Sequence, residues 1–136
     1  MGIFSRFFFS GKLPDPLRAE LEAEGIVLLE EDLRGTITYR NYRAPGRRYG
    51  LRKARIAGAI AVTRQRVVAW GMNGRQIDVP LGYPGVRVAR DGEEKVEFAF
   101  DASDFHADRS GRVEVRLRTP NAARIVELCA VSARLP

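Results

Sequence analysis

Short apolar runs of alternating polarity, separated by turn residues, follow one another along most of this chain. Such alternation is typical of strands that bury one face, and closely spaced turns are typical of antiparallel neighbours. The pattern predicts strands at 26–30, 36–43, 54–63, 66–71, 76–81, 86–90, 95–101 and 112–118. We therefore expect a mainly β domain of seven or eight antiparallel strands.

Turn chemistry divides these runs. A tight turn is predicted at 64–65, between two apolar runs. Two more are predicted at the Asn-Gly pair 73–74 and at the Asp-Gly pair 91–92, because Asn-Gly and Asp-Gly favour hairpin turns. The stretch 44–50, rich in Pro, Gly and Arg, is predicted as a loop. Gly58 lies inside the third predicted strand, where it is expected to allow a bend or a bulge.

One helix is predicted at each end of the strand region. At the first, Asp15 is a candidate N-cap, Pro16 opens the helix, and Gly25 ends it. At the second, Thr119 is a candidate N-cap and Pro120 follows at the first helical position. The second helix carries an apolar stripe formed by Ala122, Ile125, Val126 and Cys129.

Composition indicates one domain with its own core. The chain has 136 residues, of which 45% are hydrophobic and 29% charged, and a chain of this size can bury a sufficient core. A single cysteine excludes an internal disulfide and a zinc site built on several thiolates, and it favours a reducing, cytoplasmic setting. No apolar run reaches about 18 residues, so no membrane-spanning helix is expected.

The first 14 residues are predicted to be an apolar tail preceding a domain that covers 15–136. The tail is a candidate interaction segment because large apolar side chains outside a core often contact a partner. It could dock on its own domain, on a second copy or on another surface. Its aromatic residues are Phe4, Phe7, Phe8 and Phe9.

Three stretches resemble segments of the bacterial pleckstrin-homology-like (PH-like) family. GAIAVTRQRVVAWG (58–71) is similar to a strand, turn and strand of these domains, and IDVPLGYPGVRVAR (77–90) to the strand pair that follows. VEVRLRTPNAARIVEL (113–128) is similar to the last strand and the helix after it. The resemblance covers about 26–132 and implies a seven-stranded barrel capped by the C-terminal helix. Another small barrel or sandwich with a terminal helix remains an alternative.

The net charge of +6 is unevenly distributed. Residues 1–32 hold seven acids and three bases, residues 33–77 hold eleven bases and no acid, and residues 78–136 are nearly balanced. Arginine forks can hold phosphate groups through two parallel hydrogen bonds. The candidate binding residues for an anion or a partner are Arg40, Arg43, Arg47, Arg48, Arg52, Lys53 and Arg55. The alternative is that these side chains form a solvated surface without a ligand.

Candidates for catalysis or metal binding are weak. His106 is the only histidine and lies in a predicted polar loop, while Cys129 lies on the apolar stripe, where a thiol is usually buried and inert. Asp101, Asp104 and Asp108 lack the spacing of a calcium loop. We therefore expect no enzymatic activity, no cofactor and no metal.

Three hypotheses of function follow. The first is a non-catalytic module that binds a protein or a second copy of itself. The second is a module that binds anionic membrane surfaces through 40–55 and inserts aromatic side chains of the tail. The third, and least favoured, is a binder of single-stranded nucleic acid, with Tyr39, Tyr42 and Tyr49 as stacking platforms. Phosphoinositide binding, which the resemblance implies for some eukaryotic members, is not assumed for bacterial ones, although Lys53 and Arg55 loosely match the spacing of its basic residues.

Overall fold

The computed structural model describes residues 11–71 and 74–131. Seven antiparallel strands form a curled, half-barrel sheet, with a short helix before it and a second helix after it. The predicted mainly β fold is confirmed. The elements are α1 (Asp15–Glu24), β1 (Ile26–Ala44), β2 (Arg47–Thr63), β3 (Arg66–Gly71), β4 (Gly74–Pro80), β5 (Val86–Arg90), β6 (Lys95–Asp101), a 3₁₀ turn (Ala102–Asp104), β7 (Ser110–Arg118) and α2 (Ala122–Val131).

The strands form one sheet in the order β4-β3-β2-β1-β7-β6-β5. Strands that are consecutive in sequence pair with each other, except that β4 and β5 do not pair and that β1 pairs with β7 as well as with β2. The two outer strands are β4 and β5. The pairing of β1 with β7 joins the first half of the sheet to the second.

The β1–β2 hairpin is much longer than the sequence predicted. The runs 26–30 and 36–43 were expected to be separate strands, but they belong to one strand of 19 residues. Asp32, with φ 58°, lies in a register shift between Glu30 and Leu33, and β1 continues to pair with β2 on both sides of this shift. The predicted loop 44–50 is also wrong, because only 45–46 turn and β2 begins at Arg47.

Gly58 contributes to the fold through close approach. A Cβ atom at this position would lie 2.3 Å from the carbonyl oxygen of Trp70 and 3.0 Å from Cδ2 of Leu117. The register shift expected here lies instead on the partner strand, between Glu30 and Leu33. Glycine at this position therefore lets β2 approach β3 and the core without a collision.

The main core lies inside the curve of the sheet. Large side chains from the first strands, from the last strands and from α2 meet there without solvent contact, including Ile37, Ile60, Phe98, Val115 and Ile125. The helix α2 contacts β2, β5 and β6 and covers the interior. It begins two residues later than expected, after a turn in which the Thr119 hydroxyl accepts the backbone N–H of Asn121 at 3.0 Å.

The first helix packs on the opposite face of the sheet. Leu17 and Leu21 are buried there together with Ala59, Ala61 and Val68. The N-cap is Pro14, so the prediction of Asp15 as N-cap is wrong, and Asp15 is the first helical residue. Its carboxylate still lies in the first turn, where negative charge interacts favourably with the helix dipole. Gly25, with φ 96°, ends the helix as predicted.

Two predictions fall on residues that the structure does not describe. The aromatic residues of the tail lie within 1–10, and the predicted Asn-Gly turn includes residue 73. The predicted Asp-Gly turn is present between β5 and β6, with Gly92 at φ 88°. Between β6 and β7, the Asp101 carboxylate accepts the backbone N–H of Ser103 at 2.9 Å and fixes the start of the loop.

Candidate anion-binding surface

Three tyrosines pack together at the far end of the β1–β2 hairpin. The ring centroids of Tyr39 and Tyr42 are 4.8 Å apart, and the Tyr42 and Tyr49 rings stack at 6.0 Å. The Arg52 guanidinium lies over the Tyr49 ring, 4.9 Å from its centroid, in cation–π contact. Burial is the main cause that raises the pKa of the Tyr39 phenol. This tyrosine cluster gives the hairpin end a rigid apolar support.

All seven basic residues that the sequence singled out are exposed. Arg43 pairs with Arg48 across the hairpin, and Arg47 follows the turn directly. Within the described part of the chain, six of the seven have no carboxylate within 4 Å; the exception is Arg40, whose Nε lies 3.3 Å from Glu114. We call Arg43, Arg47, Arg48 and Arg52, together with the tyrosine cluster, the hairpin-end surface.

The structure separates the remaining basic residues from this surface. Arg55 is eight residues beyond Arg47 in β2, a distance of about 26 Å at about 3.3 Å per residue. Lys53 lies opposite Thr38 and Arg55 opposite Thr36, both on the way toward the middle of the sheet. A segment that is continuous in sequence is therefore divided into two surfaces.

A cavity of about 330 Å³ adjoins the hairpin-end surface. Its walls come from the hairpin, the start of β4, the strands β6 and β7 and the loop between these two strands. They combine aromatic rings with cations, since Phe105, His106 and Arg109 of the loop line the cavity together with Arg47 and Arg75. Arg75 and Arg109 were not among the predicted site residues, because only the fold brings these distant segments together.

Glu114 neutralises part of the neighbouring basic surface. Its side chain is only 7% exposed, and its carboxylate lies 2.6 Å from Nε of Arg112, 2.9 Å from a guanidinium nitrogen of Arg116 and 3.3 Å from Nε of Arg40. Burial tends to raise the pKa of this carboxyl, but the three arginines outweigh burial and lower it to about 2. Arg40 thus belongs to an ion-pair network that joins β1 to β7.

The other reactive side chains are placed as follows. His106 is exposed in the β6–β7 loop. Cys129 is buried, and burial raises the pKa of its thiol to about 12, so the thiol is neutral near pH 7. Asp104 and Asp108 are exposed. Among residues 11–71 and 74–131, no three His, Cys, Asp or Glu side chains form a group that could hold a metal ion.

An apolar cavity of about 230 Å³ lies between the two edges of the sheet, next to α2. Val67, Val79, Tyr83, Val88 and Val126 line it. Apolar cavities of this kind can accept side chains of a protein partner. In the described part of the chain, no helix has the length and apolar character needed to cross a bilayer.

Comparison of the chain with protein-family models, with curated proteins and with solved structures found no match. The PH-like resemblance therefore stays a prediction from the sequence. Fold alone does not determine function, because one architecture can carry many activities. The functional proposal therefore rests on the charges, exposure and contacts of the hairpin-end surface.

Proposed function

We propose that this protein is a non-catalytic, PH-like interaction module whose hairpin-end surface docks on anionic membranes. The observation that supports this best is the group of four exposed arginines at one end of the hairpin, with no carboxylate within 4 Å in the described residues. Leu51, on the same hairpin, has 65% of its surface exposed. Cations around an exposed apolar side chain suit the interface of an anionic bilayer.

The magnitude of this attraction is modest. Each basic residue near an anionic surface contributes about 1 kcal/mol, so the four arginines supply about 4 kcal/mol. Insertion of Leu51 adds about 1 to 2 kcal/mol through burial of its side chain. A total of about 5 to 6 kcal/mol corresponds to a dissociation constant of about 0.1 mM. We therefore propose reversible binding that depends strongly on salt and lipid charge.

A nucleic acid partner is less well supported by the geometry. Stacking on a base requires an accessible ring face. Tyr42 is only 6% exposed, its ring stacks on Tyr49, and Arg52 lies over the Tyr49 ring. The tyrosines that the sequence offered as stacking platforms pack mainly against one another and against Arg52.

Protein binding or self-association is the second candidate, and the apolar cavity beside α2 favours it. This cavity lies where β4 and β5 leave the sheet open, so a partner could fill it with an apolar side chain. The tail, with Phe4 and Phe7 to Phe9, is the other proposed contact. If this candidate is correct, the protein forms salt-insensitive complexes that disappear when residues 1–12 are deleted.

Vesicle sedimentation tests the membrane proposal. The purified full chain is mixed with vesicles of phosphatidylcholine, with or without about 30% phosphatidylserine, at low and physiological salt. The triple variant Arg43→Gln, Arg47→Gln, Arg48→Gln loses three favourable charges, worth about 3 kcal/mol, so its binding to anionic vesicles should weaken about 100-fold. Deletion of residues 1–12 should weaken binding further if the aromatic tail inserts.

A second triple variant controls for net charge. Arg64→Gln, Arg90→Gln, Arg124→Gln changes three exposed arginines that also lack a carboxylate within 4 Å in the described residues. It lowers the net charge by the same amount, and its vesicle binding should stay within about threefold of the original. Equal weakening by both triples, or no preference for anionic over neutral vesicles at low salt, contradicts the proposal.

A further inference from the structure

A second basic surface lies near the middle of the sheet, away from the hairpin end. It is a groove of about 550 Å³ between the middle of β1 and of β2, the start of β6 and the end of β7. We call it the strand groove. Its polar lining consists of Arg34, Thr36, Arg55, Lys95, Arg116 and Arg118.

The lining of the strand groove contains five cations and no carboxylate. In residues 11–71 and 74–131, no carboxylate lies within 4 Å of four of them: Arg34, Arg55, Lys95 and Arg118. Asp91, Glu93 and Glu94 line a neighbouring hollow that shares Lys95 and Arg118 with the groove. Like charges that face one space repel each other, and a bound anion relieves this repulsion.

The fifth cation is held in place. Arg116 lies 2.6 Å from Glu97, 2.9 Å from Glu114 and 3.2 Å from Asp91, measured between nitrogen and oxygen atoms. These contacts fix the guanidinium and offset its charge. The unpaired cations therefore carry the attraction for a ligand, and Arg116 forms a fixed part of the wall.

The backbone also fixes the shape of the groove. A Cβ atom on Gly35 would lie 1.8 Å from the carbonyl oxygen of Arg116, so only glycine allows β1 to approach β7 this closely. The register pairs Thr36 with both Arg55 and Arg116. Lys95 is in turn the partner of Arg118. Four strands thus place their cations around one space, and regular strand pairing keeps them there.

We propose that the strand groove binds a small soluble anion that carries several phosphate groups. Its volume lies within the usual range for ligand sites, about 300 to 1,000 Å³. Arginine forks match phosphate oxygens in pairs, and the lysine adds a flexible point charge. This inference does not depend on membrane binding, because Arg55 lies about 23 to 26 Å along β2 from Arg48 and Arg47. Among the arginines of the hairpin-end surface only Arg52 is nearer, at about 10 Å.

Calorimetric titration of the full chain with tripolyphosphate tests the proposal. The double variant Arg55→Gln, Arg118→Gln should raise the dissociation constant about 100-fold, because each lost charge-assisted contact weakens binding about tenfold or more. The matched control Arg43→Gln, Arg48→Gln removes the same charge from the hairpin end and should change the constant less than threefold. Equal effects of the two variants, or no saturable binding to the original chain, would overturn the proposal.

Amide NMR on the original chain provides a test that does not require a variant to fold. Tripolyphosphate should shift the backbone signals of Gly35, Thr36 and Ile56 at the groove, whereas Gly46 and Gly50 at the hairpin end should stay unchanged. Shifts that concentrate at the hairpin end instead would contradict the groove. Such shifts would indicate that tripolyphosphate binds the arginines of the hairpin-end surface.

Vesicle binding separates this proposal from the previous one. The groove variant Arg55→Gln, Arg118→Gln should bind anionic vesicles as the original chain does. Loss of vesicle binding in this variant would mean that the groove takes a lipid headgroup, and the soluble-anion proposal would fail. Tripolyphosphate binding at the groove without any vesicle binding would support the groove and refute the membrane proposal.

Discussion

Replacement of Glu114 by glutamine removes a negative charge shared by Arg40, Arg112 and Arg116 while keeping the size of the side chain. The carboxyl is nearly buried, and its pKa is lowered from 4.5 to about 2 in the folded protein. At 1.36 kcal/mol per pKa unit, this difference corresponds to about 3 kcal/mol of folding free energy at pH 7. We expect Glu114→Gln to lower the free energy of unfolding by about this amount, because glutamine resembles the protonated acid.

The pH dependence of this effect has a definite sign. A carboxyl with a lowered pKa stabilises the fold fully above its unfolded pKa, and the benefit disappears as pH falls through the folded pKa. For Glu114 the window runs from about pH 5 down to about pH 2. The difference between the original chain and Glu114→Gln should therefore shrink from about 3 kcal/mol at pH 7 to about 1 kcal/mol at pH 3.

Urea unfolding, followed by Trp70 fluorescence at pH 7 and pH 3, measures this difference. Urea is uncharged and leaves the ion pairs unscreened. The matched control is Glu127→Gln, because Glu127 is exposed on α2, and surface substitutions usually change stability by less than about 0.5 kcal/mol. A loss below about 0.5 kcal/mol for Glu114→Gln at pH 7, or a loss that stays constant down to pH 3, would refute the reasoning.

Two further predictions concern packing. Gly58→Ala places a methyl group 2.3 Å from the Trp70 carbonyl oxygen, so its free energy of unfolding should fall by about 2 kcal/mol or more, whereas Gly50→Ala has no atom within 4 Å of the new Cβ and should have little effect. Urea denaturation of both variants checks this, and equal stability would contradict it. Cys129, buried with a pKa of about 12, should react with a thiol reagent at pH 8 far more slowly in the folded chain than in urea. Equal rates would show that the thiol is accessible.

Elements defined by local signals were predicted well. The bounds predicted for β3, β5 and β6 agree with the structure. β5 and β6 alternate in polarity, whereas β3 is a short apolar run that follows a predicted tight turn. The extensions of β1 and β2 beyond 43 and before 54 were missed. Half of their residues are exposed cations, and the rest show no apolar alternation. Backbone pairing and the tyrosine cluster hold these segments, and neither leaves a periodic signal in the sequence.

Of the two candidate surfaces, one could be predicted from the sequence and the other could not. The hairpin-end arginines are close in sequence, so their concentration of charge was evident from the chain alone. The strand groove joins Arg34 to Lys95 and Arg118, which only the pairing of β1 with β7 and of β7 with β6 brings together. Likewise, Arg66 links α1 to β4 through Glu24 and Asp78. Sequence reasoning cannot locate such long-range contacts without the topology.

The position of β1 between β2 and β7 has a consequence for synthesis on the ribosome. The strands β1 to β4 can pair successively as they emerge, but the second edge of β1 stays unpaired until residues 110–118 are made. An unpaired strand edge is a template for aggregation, and pairing between distant segments slows folding. A chain truncated before β7 should therefore depend on chaperones, whereas completion of β7 closes the edge and joins both halves of the sheet.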